Sequence, residues 1–317
     1  PSLTADFVTP RDAPMDAQRV HLVLVHRNRG TTCAETTRRF LADAEVGGLL
    51  MTVAVVDNGS DQGELAGLRR GLAGLSEDAV SVVEVGANLG FGPGANVGLD
   101  RWLEGSDGHP TGEVCLLAPH DARPAEGTVV RLVDELLSRP GAGLACADVG
   151  DGETPRVQPW LGPIGEPASS PSNGHGVRWD PADYPHGTLL AARRACLKQV
   201  GIFDERYFAY CEEADLGIRT RASGWEVGLV RGALVHNPES NSDAAVIDHL
   251  MVRNTLLLLR THFGLANMLF RAGVVVAEHV VGWWRPEVRG PYHTGRARLR
   301  AVRDALTGRF GPPAGNA

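Results

Sequence analysis

The chain of 317 residues is 43% hydrophobic and 22% charged, with a formal net charge of -7. This is the composition of a soluble globular protein with core enough for one large domain or two small ones, and the acidic balance argues against general nucleic-acid binding. Five scattered cysteines (Cys33, Cys115, Cys146, Cys196 and Cys211) include no CxxC pair, which argues against a disulfide framework or a zinc site and fits a reducing cytoplasm.

Residues 1–18 are polar and carry prolines, without the cationic start and apolar run of a secretory signal, and they read as a disordered tail. The apolar run 20–25 has strand length and ends in a loop, His26-Arg27-Asn28-Arg29-Gly30, before a helical stretch, 31–44. A second buried strand, 51–56, stops at Asp57-Asn58-Gly59-Ser60, and 80–85 and 114–117 read as further strands with helical stretches between them. Continuous apolar strands alternating with helices predict an α/β fold, a Rossmann-like and mostly parallel sheet with helices on both faces. Ligands of such sheets bind beyond the carboxyl ends of the strands. Asp57 closes one of those ends, where a carboxylate can accept from a base N–H or a ribose hydroxyl; Asp-Asn-Gly is also a turn signal, and both roles are open to it.

The glycine-rich stretch 86–98 follows a strand and leads into a helix, 95–103. Its glycines permit close backbone approach to a ligand. No Gly-Lys-Ser/Thr follows, so it is not a Walker loop, and its place after a later strand makes it a poor dinucleotide fingerprint.

The order Asn28-Arg29, then Val55-Val56-Asp57-Asn58-Gly59-Ser60, then Asn88-Leu89-Gly90-Phe91-Gly92-Pro93-Gly94-Ala95-Asn96 resembles the family 2 glycosyltransferases, in their rhamnosyltransferase-like and galactofuranosyltransferase-like branch. The similarity runs from about residue 20 to residue 264. It implies a GT-A fold and a nucleotide-diphosphate sugar as donor. On that resemblance Asp57 contacts the base, while the loop carrying Arg27 and Asn28 and the loop carrying Asn88, Gly90 and Gly92 wall the nucleotide pocket. The implied organisation is a tail over 1–18, a GT-A domain over 19–242, and a C-terminal helical extension over 243–317 with a basic tail. The GT-A domain divides into a nucleotide-sugar half, 19–123, and an acceptor half, 124–242.

Family members carry an Asp-x-Asp-type motif at the end of a central strand, often Asn-Pro-Asp in this branch. Here the strand runs into Ala118-Pro119-His120-Asp121, with His120 in the usual Asp position and Asp121 one residue on. A hard Mg2+ or Mn2+ ion bridging two phosphates needs oxygen ligands, and Asp121 can be one; His120 can be a second for Mn2+, which accepts imidazole better. The ion would neutralise charge on the departing diphosphate. Asp121 can also simply cap the turn before Pro124.

Residues 148–187 are rich in Pro, Gly and Ser and read as one long loop, carrying Trp160, Trp179 and Tyr184 as sugar-stacking faces or as packing anchors. The run 201–208 then leads to Tyr210-Cys211-Glu212-Glu213-Ala214-Asp215. Residues 214–222 read as a helix ended by Gly224, with the acids at its positive end. These acids can be a solvated helix cap or a catalytic base. In the family's register Glu212 matches the Glu of a Glu-Asp motif and Glu213 takes the place of the Asp, the expected base; Glu213 is therefore the first choice and Glu212 the second. Asp215 and Arg219, one helical turn apart, are expected to pair. Residues 225–230 look like an edge strand, followed by Ala233-Leu234-Val235-His236. The resemblance implies that His236 contacts the metal or the diphosphate, and that Arg253-Asn254 on a helix over 243–262 approaches the diphosphate or forms a solvated face.

The apolar helix 265–284 is interrupted by Arg271 and Glu278, which argues against a membrane span, and Trp283-Trp284-Arg285 opens an arginine-rich tail. This combination suits peripheral contact with a membrane's inner face, a homo-oligomer contact, or packing on the sheet. The implied activity is inverting transfer of a hexosyl or deoxyhexosyl group from a UDP or dTDP sugar to a glycan, lipid-linked or small-molecule hydroxyl. The alternative is a non-catalytic sugar-nucleotide or glycan-binding protein on the same fold.

Overall fold

The structure is a computed structural model that describes residues 18–105, 112–168, 176–236, 243–289 and 292–313. The tail expected over residues 1–18 lies, apart from Gln18, outside these residues.

The first half alternates as expected: β1 (Arg19–His26), α1 (Gly30–Val46), β2 (Leu50–Asp57), α2 (Gln62–Leu72), β3 (Val80–Glu84), α3 (Phe91–Glu104) and β4 (Val114–Pro119). The strands β3, β2, β1 and β4 lie side by side and parallel. Their side chains are apolar on both faces because both faces are covered. Cys33, Phe40, Leu65 and Leu68 of α1 and α2 pack on one side, and Leu99 and Trp102 of α3 on the other. Burial of this kind contributes roughly 25 cal/mol per Å2 of apolar surface, and it leaves the polar residues to collect at the strand ends.

The second half follows with β5 (Arg123–Pro124), α4 (Thr128–Leu137), β6 (Ala142–Asp148), β7 (Glu153–Gln158), β8 (Gly162–Pro167), β9 (Arg178–Pro181), β10 (Leu190–Arg193), α5 (Arg194–Val200), α6 (Glu212–Ala222) and β11 (Glu226–His236). It extends the sheet in the order β4-β10-β6-β11-β5, with β10 antiparallel between β4 and β6, and β9 also paired to β11. Two expectations need correcting. Residues 148–187 are not one loop, since they hold the β7–β8 hairpin and β9. The strand begun at 225 is not an edge: β11 runs to His236, parallel to β6 with register shifts after Glu226 and after Val230, and with β5 and β9 on its other side. The cause is the buried Arg231, whose guanidinium reaches Asp148 (3.1 Å), Asp180 (2.9 Å) and Thr154 Oγ1 (3.0 Å), tying β6, β9, β7 and β11 together. Paired and hydrogen-bonded on every side, that charge can be buried.

The chain closes with α7 (Ala244–Phe263), α8 (Leu265–Trp284) and α9 (Gly295–Leu306). These three share a core of their own through Leu256, Leu259, Met268, Val275, Ala301 and Ala305. α7 is apolar on a second face as well, where Leu257 and Leu258 pack against Tyr207 and Ala214.

Candidate active site

At the carboxyl ends of β1, β2 and β4 the chain gathers His26, Asp57, His120 and Asp121. His26 Nε2 stands 3.1 Å from Asp57 Oδ1, with both side chains buried. Burial lowers the His26 pKa, the Asp57 charge opposing it. Asp57 is 2% exposed, and its second oxygen receives the Ser60 N–H at 3.4 Å. Its carboxylate thus faces His26, a partner that sequence reasoning missed. His120 is half-buried with its backbone N–H on the Val25 carbonyl, and burial lowers its pKa against the opposing pull of Asp121.

The loop after β1 is exposed at Arg27, Asn28 and Arg29. Asn28, at φ 52°, donates its backbone N–H to Ser60 Oγ and accepts the Asp61 N–H on its side-chain oxygen. It therefore braces the loop after β2. Asn58 does more, and sequence reasoning treated it only as part of a turn. Buried, it donates to the Gly90 carbonyl (2.8 Å) and accepts from Leu89 N–H (3.0 Å), joining the β2 end to the glycine loop. Asn88 accepts the Gly90 N–H at 3.2 Å.

The glycines have a close neighbour within the chain itself. Gly90 has φ 96°, and a Cβ there would overlap the Phe208 carbonyl oxygen. The Gly92 N–H donates to that same oxygen at 3.3 Å, and a Cβ on Gly92 would press on the Glu212 side chain. The close approach is to the chain's own acidic loop. α3 accordingly starts at Phe91, earlier than the expected 95, because these glycines form its first turn.

α6 starts at Glu212 rather than at 214, so Glu212, Glu213 and Asp215 occupy its first turn. The approach to it is strained: Phe208, Tyr210 and Cys211 have φ of 64°, 69° and 72°. Such residues persist only where the surroundings hold them. The buried Asn254 of α7 supplies that hold, donating to the carbonyls of Tyr207, Ala209 and Tyr210 at 2.7–2.8 Å. Arg253, also buried, reaches Asn254 Oδ1, Tyr207 O and Gly311 O. The expected role of this pair at the diphosphate is corrected: the two side chains clamp the acidic loop. Asp215 pairs with Arg219 at 2.8 Å as expected, and with His262 of α7 at 2.7 Å.

Glu212 is 3% exposed and lies on the glycine-loop side; Glu213 is half-buried, its Oε1 against the Gly187 backbone. Each keeps one buried oxygen, Oε2, without a hydrogen-bond partner. Burial first, with the charge of Glu213 added for Glu212, raises both carboxyl pKa values, that of Glu212 well above the ordinary glutamate range. Beside Gly187 opens a cleft of about 120 Å3, lined among others by Asp148, Asp151, Glu153, Tyr184 and His186. Burial and then the Glu213 charge hold the Tyr184 phenol above its usual range, and burial lowers the pKa of His186. His186 carried no sequence signal, being one residue in a stretch read as loop.

His236 ends β11 exposed, opposite Arg123 of β5, two residues beyond the half-buried Asp121. Among the described residues no group of three or more His, Cys, Asp or Glu is arranged to hold a metal ion. A cation completed by diphosphate oxygens needs only one or two protein donors, so a carboxylate with an imidazole fits that use.

No family model matches the chain. It is 27% identical over 262 residues, 75% of its length and 78% of the relative's, to the N-acetylglucosaminyl-diphospho-decaprenol L-rhamnosyltransferase of Mycobacterium tuberculosis, in strains CDC 1551 / Oshkosh and H37Rv. Among solved structures, the mannosyltransferase PcManGT from Pyrobaculum calidifontis, in complex with GDP-Man and Mn2+, aligns over 96% of the chain and 89% of its own with a TM-score of 0.58 and 14% identity. GalNAc-T7 with UDP, GalNAc and Mn2+ aligns over 93% of the chain with a TM-score of 0.65 and 13% identity, the chain spanning 57% of that protein. The chain thus shares its fold with solved glycosyltransferases, and its sequence is similar to that of a rhamnosyltransferase, in keeping with the motif order that resembles family 2.

Proposed function

We propose that the protein transfers a sugar, with inversion, from a UDP or dTDP donor to a hydroxyl of a lipid-diphosphate-linked sugar. The donor binds across the ends of β1, β2 and β4, in the half formed by residues 19–123, and the acceptor enters through the cleft beside Gly187, in the half formed by 124–242. Glu213 takes the proton of the acceptor hydroxyl. The acceptor oxygen bonds to the anomeric carbon as the bond from that carbon to the diphosphate oxygen breaks, and the nucleoside diphosphate leaves on the opposite face. The developing charge is oxocarbenium-like, as in other glycosyl transfers. A divalent cation, Mn2+ or Mg2+, held by Asp121 and His236, with His120 beside them, would neutralise charge on the leaving diphosphate. The lipid-linked acceptor is argued from the decaprenol-linked substrate in the relative's name, and the five unpaired cysteines suit a cytoplasmic setting.

The observation that carries this reading is Glu213: a half-buried carboxylate at a helix N-terminus, with one buried oxygen unpartnered and the other beside Gly187, the neighbour of the cleft-lining His186. The test is incubation with UDP and dTDP sugars and an N-acetylglucosaminyl-diphospho-prenol, read by mass spectrometry and by the anomeric configuration of the product. One added sugar with inverted configuration is expected. Retention would overturn the mechanism. The His120 substitution and the absence of a three-residue metal cluster among the described residues favour a second reading, a non-catalytic sugar-nucleotide binder. Nucleotide binding without transfer would establish it instead.

A further inference from the structure

α8 has 20 residues and is about 30 Å long. One side faces the protein through Met268, Ala272, Val275 and Gly282. Its two charged residues are also held there: Arg271 bonds Glu278 at 2.8 Å, and Glu278 bonds Arg298 of α9 at 2.7 Å. The other side carries no polar side chain. Leu265, Leu269, Phe270, Val280, Trp283 and Trp284 are exposed on it, the two tryptophans at 78% and 83%, and its remaining exposed positions are Ala, Gly or Val. A continuous apolar strip of this size on a helix is more than scattered surface hydrophobes.

We infer that this face lies on an anionic lipid bilayer. The helix is long and apolar enough to cross a membrane. Crossing would place the Arg271–Glu278–Arg298 network in hydrocarbon and strip α8 from α7 and α9, whereas lying flat keeps that network on the protein side. The charge on the flanking segment selects the occupant. Residues 285–310 carry six arginines besides Arg298, which is held by Glu278 and Asp248, against Glu287 and Asp304, within a chain whose net charge is -7. An apolar helix face with tryptophans at its end and a basic segment beyond is the arrangement that binds anionic lipid interfaces. A second copy of the chain would bring the same arginines against each other. The inference stands on this surface alone and not on the acceptor reading. Its consequence is orientation, because α7, which packs on α8 and α9, also clamps the loop before Glu213.

The test is co-sedimentation of the full chain with vesicles of phosphatidylcholine alone and of phosphatidylcholine with phosphatidylglycerol. A Trp283→Ser/Trp284→Ser variant is run beside it, and light scattering without lipid gives the mass. Binding to the anionic vesicles is expected, weakened by salt and reduced about tenfold or more in the variant. Both tryptophans are solvent-exposed, so the variant should keep the parent's circular dichroism melt and its nucleotide-induced thermal shift. Absence of binding to anionic vesicles, or binding that the variant retains, would overturn the inference. A dimer that the variant dissolves, without vesicle binding, would assign the face to a second copy instead.

Discussion

Glu212 and Glu213 carry the same charge in adjacent positions, and their neighbours separate them. Glu212 is wedged against Gly92, while Glu213 lies beside Gly187, the neighbour of the cleft-lining His186. Glu213→Gln should therefore lower kcat by about 10²–10⁴-fold with little change in donor affinity; near-parental turnover would remove it as the base. A base acts only when ionised, and burial raises both carboxyls. The acid limb of kcat/KM should consequently lie above the ordinary glutamate range in a pH–rate profile, and titrate as a property of the pair. The same shift sets a stability prediction. A carboxyl whose folded pKa exceeds its unfolded one lends stability below the unfolded value and loses it as pH rises through the folded value. Glu212→Gln should then melt above the parent at pH 7, by roughly 2–4 °C for each kcal/mol relieved. The gap should close as pH falls toward the ordinary value of 4.5.

Two elements are shaped by what they must hold. The glycine loop and the acidic loop touch at Gly90 and Phe208, and Gly90 meets both obstacles to a side chain, a left-handed φ and occupied space. Gly86 has only the first, with φ 78° and nothing near its Cβ position. Gly90→Ala should cost about 2–3 kcal/mol or more in urea unfolding and Gly86→Ala about 1–2 kcal/mol; equal costs would mean that the loop contact is unimportant. α7 supplies the other constraint. Asn254→Ala removes the side-chain donor from the Ala209 and Tyr210 carbonyls, while Tyr207 O keeps Arg253; such groups cost about 1–3 kcal/mol apiece when buried and unpaired. A stability loss of that order, with a fall in kcat, is expected from denaturation and steady-state kinetics. Unchanged kinetics would show that the strained run 208–211 keeps its shape without the clamp.

For the whole molecule the decisive quantity is the response to nucleotide and cation together. A ligand bound by the folded state alone raises the melting temperature by mass action. UDP or dTDP with Mn2+ should shift it more than either component does, and chelation should abolish transfer until Mn2+ is restored. Asp121→Asn should raise the Mn2+ concentration needed. A nucleotide shift indifferent to cation would instead assign the diphosphate charge to the arginines and histidines around β1 and β4.

The run of strands and helices through β4 was legible because an apolar run of strand length beside turn residues constrains its own neighbourhood. The Asp215–Arg219 pair was legible for the same reason, spacing on one helix. Less could be read of 148–187, whose prolines and glycines look like loop until Arg231, far along the chain, supplies the charge that orders them. The glycines at 90 and 92 declared a close approach without naming the partner, which comes from residues 208 and 212. Nothing local marked Asn254 as a clamp or His26 as the partner of Asp57. By itself the sequence determined the parallel strands β1 to β4, the motif order and the carboxylates at the start of α6, all properties of contiguous residues. Tertiary structure alone decided which glutamate lies by the glycine loop and which by Gly187, what braces the strained loop and which side of α8 is left uncovered, because each depends on distant segments meeting.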